Sequence, residues 1–478
     1  MNYDRNSAKS IEAYAKKLIG KTFYEVLDTQ DIDAETKQNI IEVYGNPKRK
    51  GGLGNFLEEI YFDYKANSDS RADFHEVGIE LKASPYELNT KKQYRAGERL
   101  VLGMIDYNNP VELNLLTSHL WEKMQKILLI YYFRNKEITN KLDYRIDYTS
   151  LFSPEENDLE IIKADYKKII DKIADGKAHE LTESDTLYLA ASTKGATAAS
   201  SFTTQYYNSE IKAKKRAFSF KQSYMHTVLN NLINKSLQEA EKIITDSTTL
   251  QNSTLENFII QSLSQYKGKS DYSLCELFDR EYNNNKAQWV DLTYRMLGIK
   301  SNKAEEFSKA NIVVKSIRIE ENGSMKESMS FPSFNFKELI NENWEDSNVY
   351  RYFDETRFLF VVYKKQGDVY IFDKAMFWNM PLTDLEGDVY ACWKSTRDAI
   401  RNGVIFVHTN KGIENNLPGR KDNPIMHVRP HATKSAYKLH DGTLRGNIER
   451  DAYELPDGQW MTRQCFWLNN SYILEQLS

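Results

Sequence analysis

Cysteine is scarce in this sequence, with three residues in 478: Cys275, Cys392 and Cys465. They lie far apart, are odd in number, and show no C-x-x-C or Cys/His spacing. Neither a disulfide framework nor a cysteine-built zinc site is implied, which suits a reducing cytoplasm. Long apolar runs are missing as well. The longest, Ile127 to Phe133, is far too short to span a bilayer and reads as a buried strand. The opening Met-Asn-Tyr-Asp-Arg has no apolar signal core, so a cytoplasmic chain without a membrane partner is expected. Positive charge is not in excess either, since 64 Lys+Arg stand against 68 Asp+Glu for a net charge of −4. Any affinity for nucleic acid must therefore rest on local basic patches. Two are present, Lys48-Arg49-Lys50 and Lys212 to Arg216. The glycines at 51, 52 and 54 are not followed by Gly-Lys-Ser/Thr, and Ser192-Thr-Lys194 lacks the Ser-x-x-Lys spacing. A phosphate-binding loop and a serine hydrolase are both disfavoured.

What is present is globular: 41% hydrophobic and 28% charged residues, over a length sufficient for two domains. The two halves repeat each other. Pro154 is followed twelve residues later by Tyr166 and ten later by Gly176; Pro381 is followed at the same intervals by Trp393 and Gly403. Each stretch predicts one helix with a buried aromatic, closed by a C-terminal glycine. An apolar strand lies upstream of each, Lys126 to Tyr132 and Arg357 to Tyr363. Further up, Ile79-Glu-Leu-Lys82 pairs with Ile312-Val-Val-Lys315, and Asp73-Phe74 with Glu306-Phe307 at the same offset. Two homologous domains follow, 1–228 and 254–478, joined by a polar linker at 229–253.

Chemistry concentrates in the first half. Residues His75 to Ala83 alternate, with Val77, Ile79, Leu81 and Ala83 on one face of an expected strand and Gly78, Glu80 and Lys82 on the other. Such a strand would send a carboxylate and an ammonium out side by side, about 6–7 Å apart. Glycine at 78 would let a phosphate backbone approach. Asp73 can join from the preceding turn, and two carboxylates held together call for a hard divalent cation such as magnesium. Upstream, Leu53, Leu57, Ile60, Tyr61 and Tyr64 recur at helical spacing, with Glu58 at the edge of that apolar face and Glu59 towards solvent. The E-x-K pattern alone is too short to assign.

The ordered set Lys50-Gly51-x-x-Gly54-x-x-Leu57-Glu58, then Asp73-Phe74-x-Glu76-x-Gly78-x-Glu80-Leu81-Lys82, resembles the mismatch-repair nickase MutH and its restriction-enzyme relatives of the PD-(D/E)xK superfamily. The likeness continues through Thr117-Ser-His119, Lys123, Ser153-Pro154 and Tyr188-Leu189 to Lys194. Ala72 replaces the motif's proline. The resemblance implies an α/β fold of two tandem restriction-endonuclease-like domains, each a central mixed sheet flanked by helices. It also implies that Asp73 and Glu80 are magnesium ligands, with Lys82 the catalytic lysine, Glu58 an accessory acid at the metal and Lys123 a supporting lysine. Lys194 matches a residue reading a GATC target in the major groove, although Ser192 stands where relatives often have arginine. Lys50 and Tyr224 fall in or near stretches that touch DNA.

The second half resembles MutH too, with its catalytic set decayed. Val313 stands in place of Glu80 and Asp354 in place of Lys123, while a partner for Glu58 is ambiguous around Asp291 to Arg295. Its DNA-reading segments are closer to the family than those of the first half. They are Val428-Arg429-Pro430-His431 and Leu455-Pro-Asp-Gly-Gln-Trp460-Met-Thr-Arg463, which place Arg429, His431 and Trp460 at DNA. One live and one DNA-reading half resemble the GATC-cleaving type IIE endonucleases, in which a monomeric pseudo-dimer cuts one site and binds a second as allosteric effector; the resemblance also implies pairing of chains on the double-stranded DNA. A MutH-type nickase is opposed by the duplication. A non-catalytic DNA-binding protein of the same fold is opposed by the complete Asp73/Glu80/Lys82 set.

Overall fold

Apolar strands and amphipathic helices alternate along the chain and assort into two compact units, Met1–Phe258 with Ile299–Ile312, and Ile259–Gly298 with Val313–Ser478. The structure is a computed structural model. It describes residues 3–46, 52–64, 71–89, 91–135, 137–194, 201–234, 241–246, 248–283, 285–410 and 412–477.

In the first unit, helix α1 (Gly52–Phe56) runs on as a π-helical turn, Leu57–Tyr61. It is followed by β1 (Glu80–Leu88), β2 (Leu100–Met104), α2 (His119–Met124), β3 (Ile127–Phe133), β4 (Arg145–Phe152) and α3 (Glu156–Ala174). Then come β5 (Leu189–Thr193), β6 (Arg216–Phe220), α4 (Gln222–Ile233) and, from later in the chain, α5 (Glu305–Ala310). The main sheet is mixed. A short edge strand, Tyr94–Ala96, pairs with β1, β1 lies parallel to β3 with Glu80 opposite Ile127 and Lys82 opposite Leu129, and β3 is antiparallel to β4. A second, antiparallel sheet has the order β2-β6-β5. Leu81, Leu128 and Ile130 turn inward against Leu53, Phe56 and Leu57, forming the core that fixes the start of β1. Both faces of β3 are covered, which is why it reads as an unbroken apolar run.

The second unit repeats this order with β7 (Ile312–Ile319), β8 (Met329–Phe334), α6 (Asn348–Glu355), β9 (Arg357–Gln366), β10 (Val369–Trp378), α7 (Tyr390–Asn402), β11 (Met426–Pro430) and β12 (Gln464–Leu468). Its sheets run β7-β9-β10 and β8-β12-β11, the same sequence of connections as in the first unit. Tyr166 and Trp393 are buried on α3 and α7, and Gly176 and Gly403 follow these helices at φ +73° and +98°. The repeat extends to a turn not apparent from the earlier spacing. Gly20 N–H donates to Ile146 at 2.8 Å and Ile146 N–H to Lys21 at 2.9 Å, while Gly268 N–H donates to Phe372 and Phe372 N–H to Lys269, both at 2.9 Å. The two glycines have φ +87° and +85°, a left-handed conformation that glycine adopts at least cost.

Three local expectations are corrected. The strand begins at Glu80, not His75, because Phe74 and Ile79 pair across a tight turn in which Gly78 has φ +63°. Glycine is needed there for the turn, and a Cβ would meet nothing nearer than Gln125 Nε2 at 3.6 Å. Glu80 is not sent outward but is only 2% exposed. Arg216, counted among the surface cations, is buried, its guanidinium donating to the Ala191 carbonyl at 2.8 Å.

A buried ionic cluster holds α5 within the first unit. Lys309 Nζ lies 2.7 Å from Asp158 Oδ1 and 2.5 Å from Glu305 Oε1. The Tyr224 hydroxyl donates to Asp158 at 2.9 Å, and the Tyr188 and Tyr224 rings wall the ammonium in. Beside it, Glu306 accepts the backbone N–H groups of Ile243 and Ile244. Asp165 on α3 likewise accepts three backbone N–H groups, from Leu187, Tyr188 and Leu189, and so fixes the start of β5.

Candidate active site

The turn before β1 folds Asp73 back onto the strand, where its Oδ2 accepts the Leu81 N–H at 2.8 Å. Glu80 and Lys82 leave the same face of β1, and Lys82 Nζ donates to Glu80 Oε1 at 2.6 Å. Lys123 reaches the same oxygen from α2, at 3.5 Å. Glu58 approaches from the π-helical turn. Its carboxyl is raised from 4.5 to about 7, first by burial and then by the charge of Asp73, with Glu80 adding to the effect and Lys82 opposing it. The Asp73 carboxyl is raised from 3.8 to about 6 by burial and by Glu80, against the Leu81 N–H, Lys82 and Lys123. Glu58, Asp73, Glu80, Lys82 and Lys123 thus form one electrostatic cluster.

The donor set fits a hard divalent cation. Glu80 Oε2 is buried without a hydrogen-bond partner, an expensive state for a carboxylate oxygen unless something binds it. Among the described residues no three His, Cys, Asp or Glu side chains are placed to hold a metal by themselves. Two carboxylates with the remaining positions left to phosphate and water are a typical magnesium arrangement. A pH dependence follows. Both Glu58 and Asp73 titrate higher in the folded chain than in the unfolded one. Their contribution to stability is full below about pH 4 and is lost as pH rises through about 6 to 7. A melting series without metal should fall between pH 5 and 8, and magnesium should restore the loss at pH 8 while doing little at pH 5. Asp73→Asn should flatten both trends; a magnesium shift of equal size at the two pH values would contradict this.

A family profile described as the "DNA mismatch repair enzyme MutH" matches residues 62–165 and 297–386, one stretch in each half. The chain is 35% identical to the "Type II restriction enzyme Sau3AI" of Staphylococcus aureus over 98% of both chains. It belongs to the MutH-like type II restriction endonucleases. Similarity to the "DNA mismatch repair protein MutH" of Vibrio vulnificus (strain YJ016) is 24% identity over 47% of this chain and 93% of that protein. The protein of that name in Yersinia enterocolitica is 26% identical over 28% of this chain and 57% of its own length. The family makes the chain a site-specific deoxyribonuclease of two tandem MutH-like domains, acting on double-stranded DNA. Among the described residues no helix is long and apolar enough to cross a membrane.

The corresponding place in this endonuclease's second unit is built differently. Val313 packs against the apolar core, where it offers no oxygen. Lys315, matching Lys82, lies 5.8 Å from the Phe331 ring, and burial lowers its ammonium. Asp354, in place of Lys123, is buried near the end of α6. Glu306, the counterpart of Asp73, instead lies on α5 in the first unit, where it is turned to the Ile243 and Ile244 amides.

The residues expected at DNA separate into groups. Lys50 lies outside the described residues. Lys194 follows β5, half-buried, its N–H donating to the Lys215 carbonyl at 2.8 Å. Tyr224 is corrected, because it is fully buried on α4 with its hydroxyl donated to Asp158, leaving no surface for DNA. Arg429 and His431 are exposed at the end of β11 and gather about Trp467, the guanidinium 4.8 Å above the indole and the imidazole 6.1 Å from it. Trp460 stands half-buried in a separate small sheet, opposite Lys438 and Glu454. Trp467 lies beyond the recognition segments marked in the sequence, which end at Arg463. The alternation of β12 marks it, since Phe466 and Leu468 face the core and the odd-numbered residues turn the other way.

Proposed function

We propose that the chain is a magnesium-dependent restriction endonuclease that hydrolyses both strands of DNA at GATC and leaves 5′-phosphate ends. In this account residues 1–228 cut, 229–253 link, and 254–478 bind a second GATC site as an allosteric effector. One contrast carries it: Asp73, Glu80, Lys82 and Lys123 cluster in the first unit, whereas Val313, Lys315 and Asp354 occupy the matching places in the second. GATC itself rests on the resemblance of the recognition segments.

Magnesium, held by Asp73 and Glu80, would polarise the scissile phosphate and make a bound water more acidic. Lys82, tethered to Glu80, presents its ammonium to the phosphate and stabilises the charge that develops there. Lys123 steadies the same carboxylate oxygen from α2. Glu58, with its carboxyl near 7, can hold or release a proton at neutral pH. With one cutting centre per chain, a double-strand break takes two chains meeting on the DNA or two successive encounters.

The effector role is tested by rates on plasmids bearing one or two GATC sites. Faster cutting of the two-site plasmid, with rescue of the one-site plasmid by an added GATC duplex, is expected; equal rates without rescue would refute it. Arg429→Ala should weaken the second site by about 1–3 kcal/mol and remove the two-site advantage. Its one-site rate should stay at the wild-type level, and loss of one-site cutting instead would place Arg429 at the cleaved site.

A further inference from the structure

The loop leading into α2 folds back on the helix through one side-chain pair. His119 Nδ1 lies 2.6 Å from Glu112 Oε1, and the His119 N–H is also directed at that carboxylate, at 3.2 and 3.4 Å. The backbone around the pair is anchored. The Glu112 carbonyl accepts the Tyr166 hydroxyl at 2.7 Å, Ser118 caps the helix by accepting the Trp121 N–H at 3.2 Å, and Leu120 and Met124 are buried. The side chains themselves are open, 67% exposed for His119 and 43% for Glu112. Exposed ion pairs contribute little to stability, so fastening the loop is a weak reason for this one.

Its location has more to say. His119 and Lys123 are four residues apart on α2, on one helical face with Cβ atoms about 5–6 Å apart, and Lys123 Nζ lies 3.5 Å from Glu80. The imidazole therefore stands one turn of helix from the cluster proposed to cut. With Nδ1 engaged by Glu112, Nε2 is the nitrogen left to face solvent. We propose that His119 is a further substrate-binding residue, its Nε2 donating to a DNA backbone phosphate near the cleaved one, with Glu112 as the residue that orients the ring. Donation from both ring nitrogens, one to the carboxylate and one to the phosphate, is the form of the contact proposed. This rests on the Asp73/Glu80/Lys82 cluster being the cutting centre. Contact with phosphate carries no sequence information and displaces one condensed counterion.

The full chain carrying Glu80→Gln, to keep DNA uncut, is titrated with a GATC duplex and a duplex without GATC over a range of salt. Adding His119→Ala should weaken both complexes by the same factor, about tenfold, and reduce the salt slope by about 0.9. Glu112→Gln should give a smaller loss of the same kind. A scan of single neutral methylphosphonates should find one position, close to the cut, that costs the parent binding but costs the His119→Ala chain nothing. An unchanged salt slope, a loss confined to the GATC duplex, or no such shared position overturns the proposal. Cutting by the Glu80→Gln parent would instead refute the assignment of the centre and leave the phosphate contact to be judged on the slope.

Discussion

Replacing Glu80 by glutamine is expected to leave a protein that binds DNA but cuts it about a thousandfold more slowly. Glutamine keeps the size of the side chain and a carbonyl oxygen for Lys82, so the 2% exposed site should still fold around it. What is lost is the negative charge on which two ammonium groups converge and which the proposed divalent cation would need. Lewis-acid stabilisation is worth several kcal/mol, and about 4 kcal/mol corresponds to a thousandfold. With Lys82 and Lys123 no longer neutralised, affinity for the phosphate backbone should hold or rise. Single-turnover cutting of a GATC duplex, with binding measured on the same duplex, reads both effects. Val313→Ala, at the matching place in the second unit, should change the rate by less than twofold. Cutting by Glu80→Gln within tenfold of wild type would mean that the chemistry lies elsewhere.

The second large effect concerns stability. Lys309 is 5% exposed and is the shared partner of Asp158 and Glu305. Lys309→Met removes the cation and leaves two buried carboxylates facing each other. Breaking a buried pair in this way costs about 3–5 kcal/mol, a fall of about 10 °C for a unit of this size. Because α5 comes from late in the chain, the loss should include its release from the first unit, read as faster amide exchange at Ile243 and Ile244, whose N–H groups Glu306 accepts. Adding Asp158→Asn and Glu305→Gln should recover most of the stability, since the repulsion goes with the charges. A single variant that melts within 2 °C of wild type, or a triple variant no better than the single, would contradict this account of the cluster.

The elements read most directly from the sequence were those whose pattern is local. The run from Ile127 is buried on both faces and shows no alternation, and α3 and α7 carry their aromatic and closing glycine at fixed spacing. Residues joined across the fold were harder to see. The run from His75 to Ala83 alternates like a strand, yet Gly78 turns it, and only the pairing of Phe74 with Ile79 shows where β1 begins. Tyr224 lies on an amphipathic helix, and its burial is decided by Asp158, 66 residues earlier. Lys309 has one ionic partner, Glu305, on its own helix, but the other, Asp158, lies 151 residues earlier on α3. Other signals are local. Gly20-Lys-Thr-Phe and Gly268-Lys-Ser-Asp mark the same turn in both halves, and the alternation in β12 that places Trp467 beside Arg429 continues beyond Arg463. At the candidate centre, motif order anticipated which residues gather. It did not show that Glu80 is buried.

The central claim, a single cutting centre in a MutH-like restriction endonuclease, is tested most directly by digesting a supercoiled plasmid carrying GATC sites with the wild-type chain and magnesium, and mapping the ends. Linear fragments ending at GATC with 5′-phosphates are expected, nicked circles appearing first when enzyme is limiting, and none of these products with EDTA or with a plasmid lacking GATC. Plasmid left intact, circles that are nicked and go no further, or ends at other sequences would contradict it.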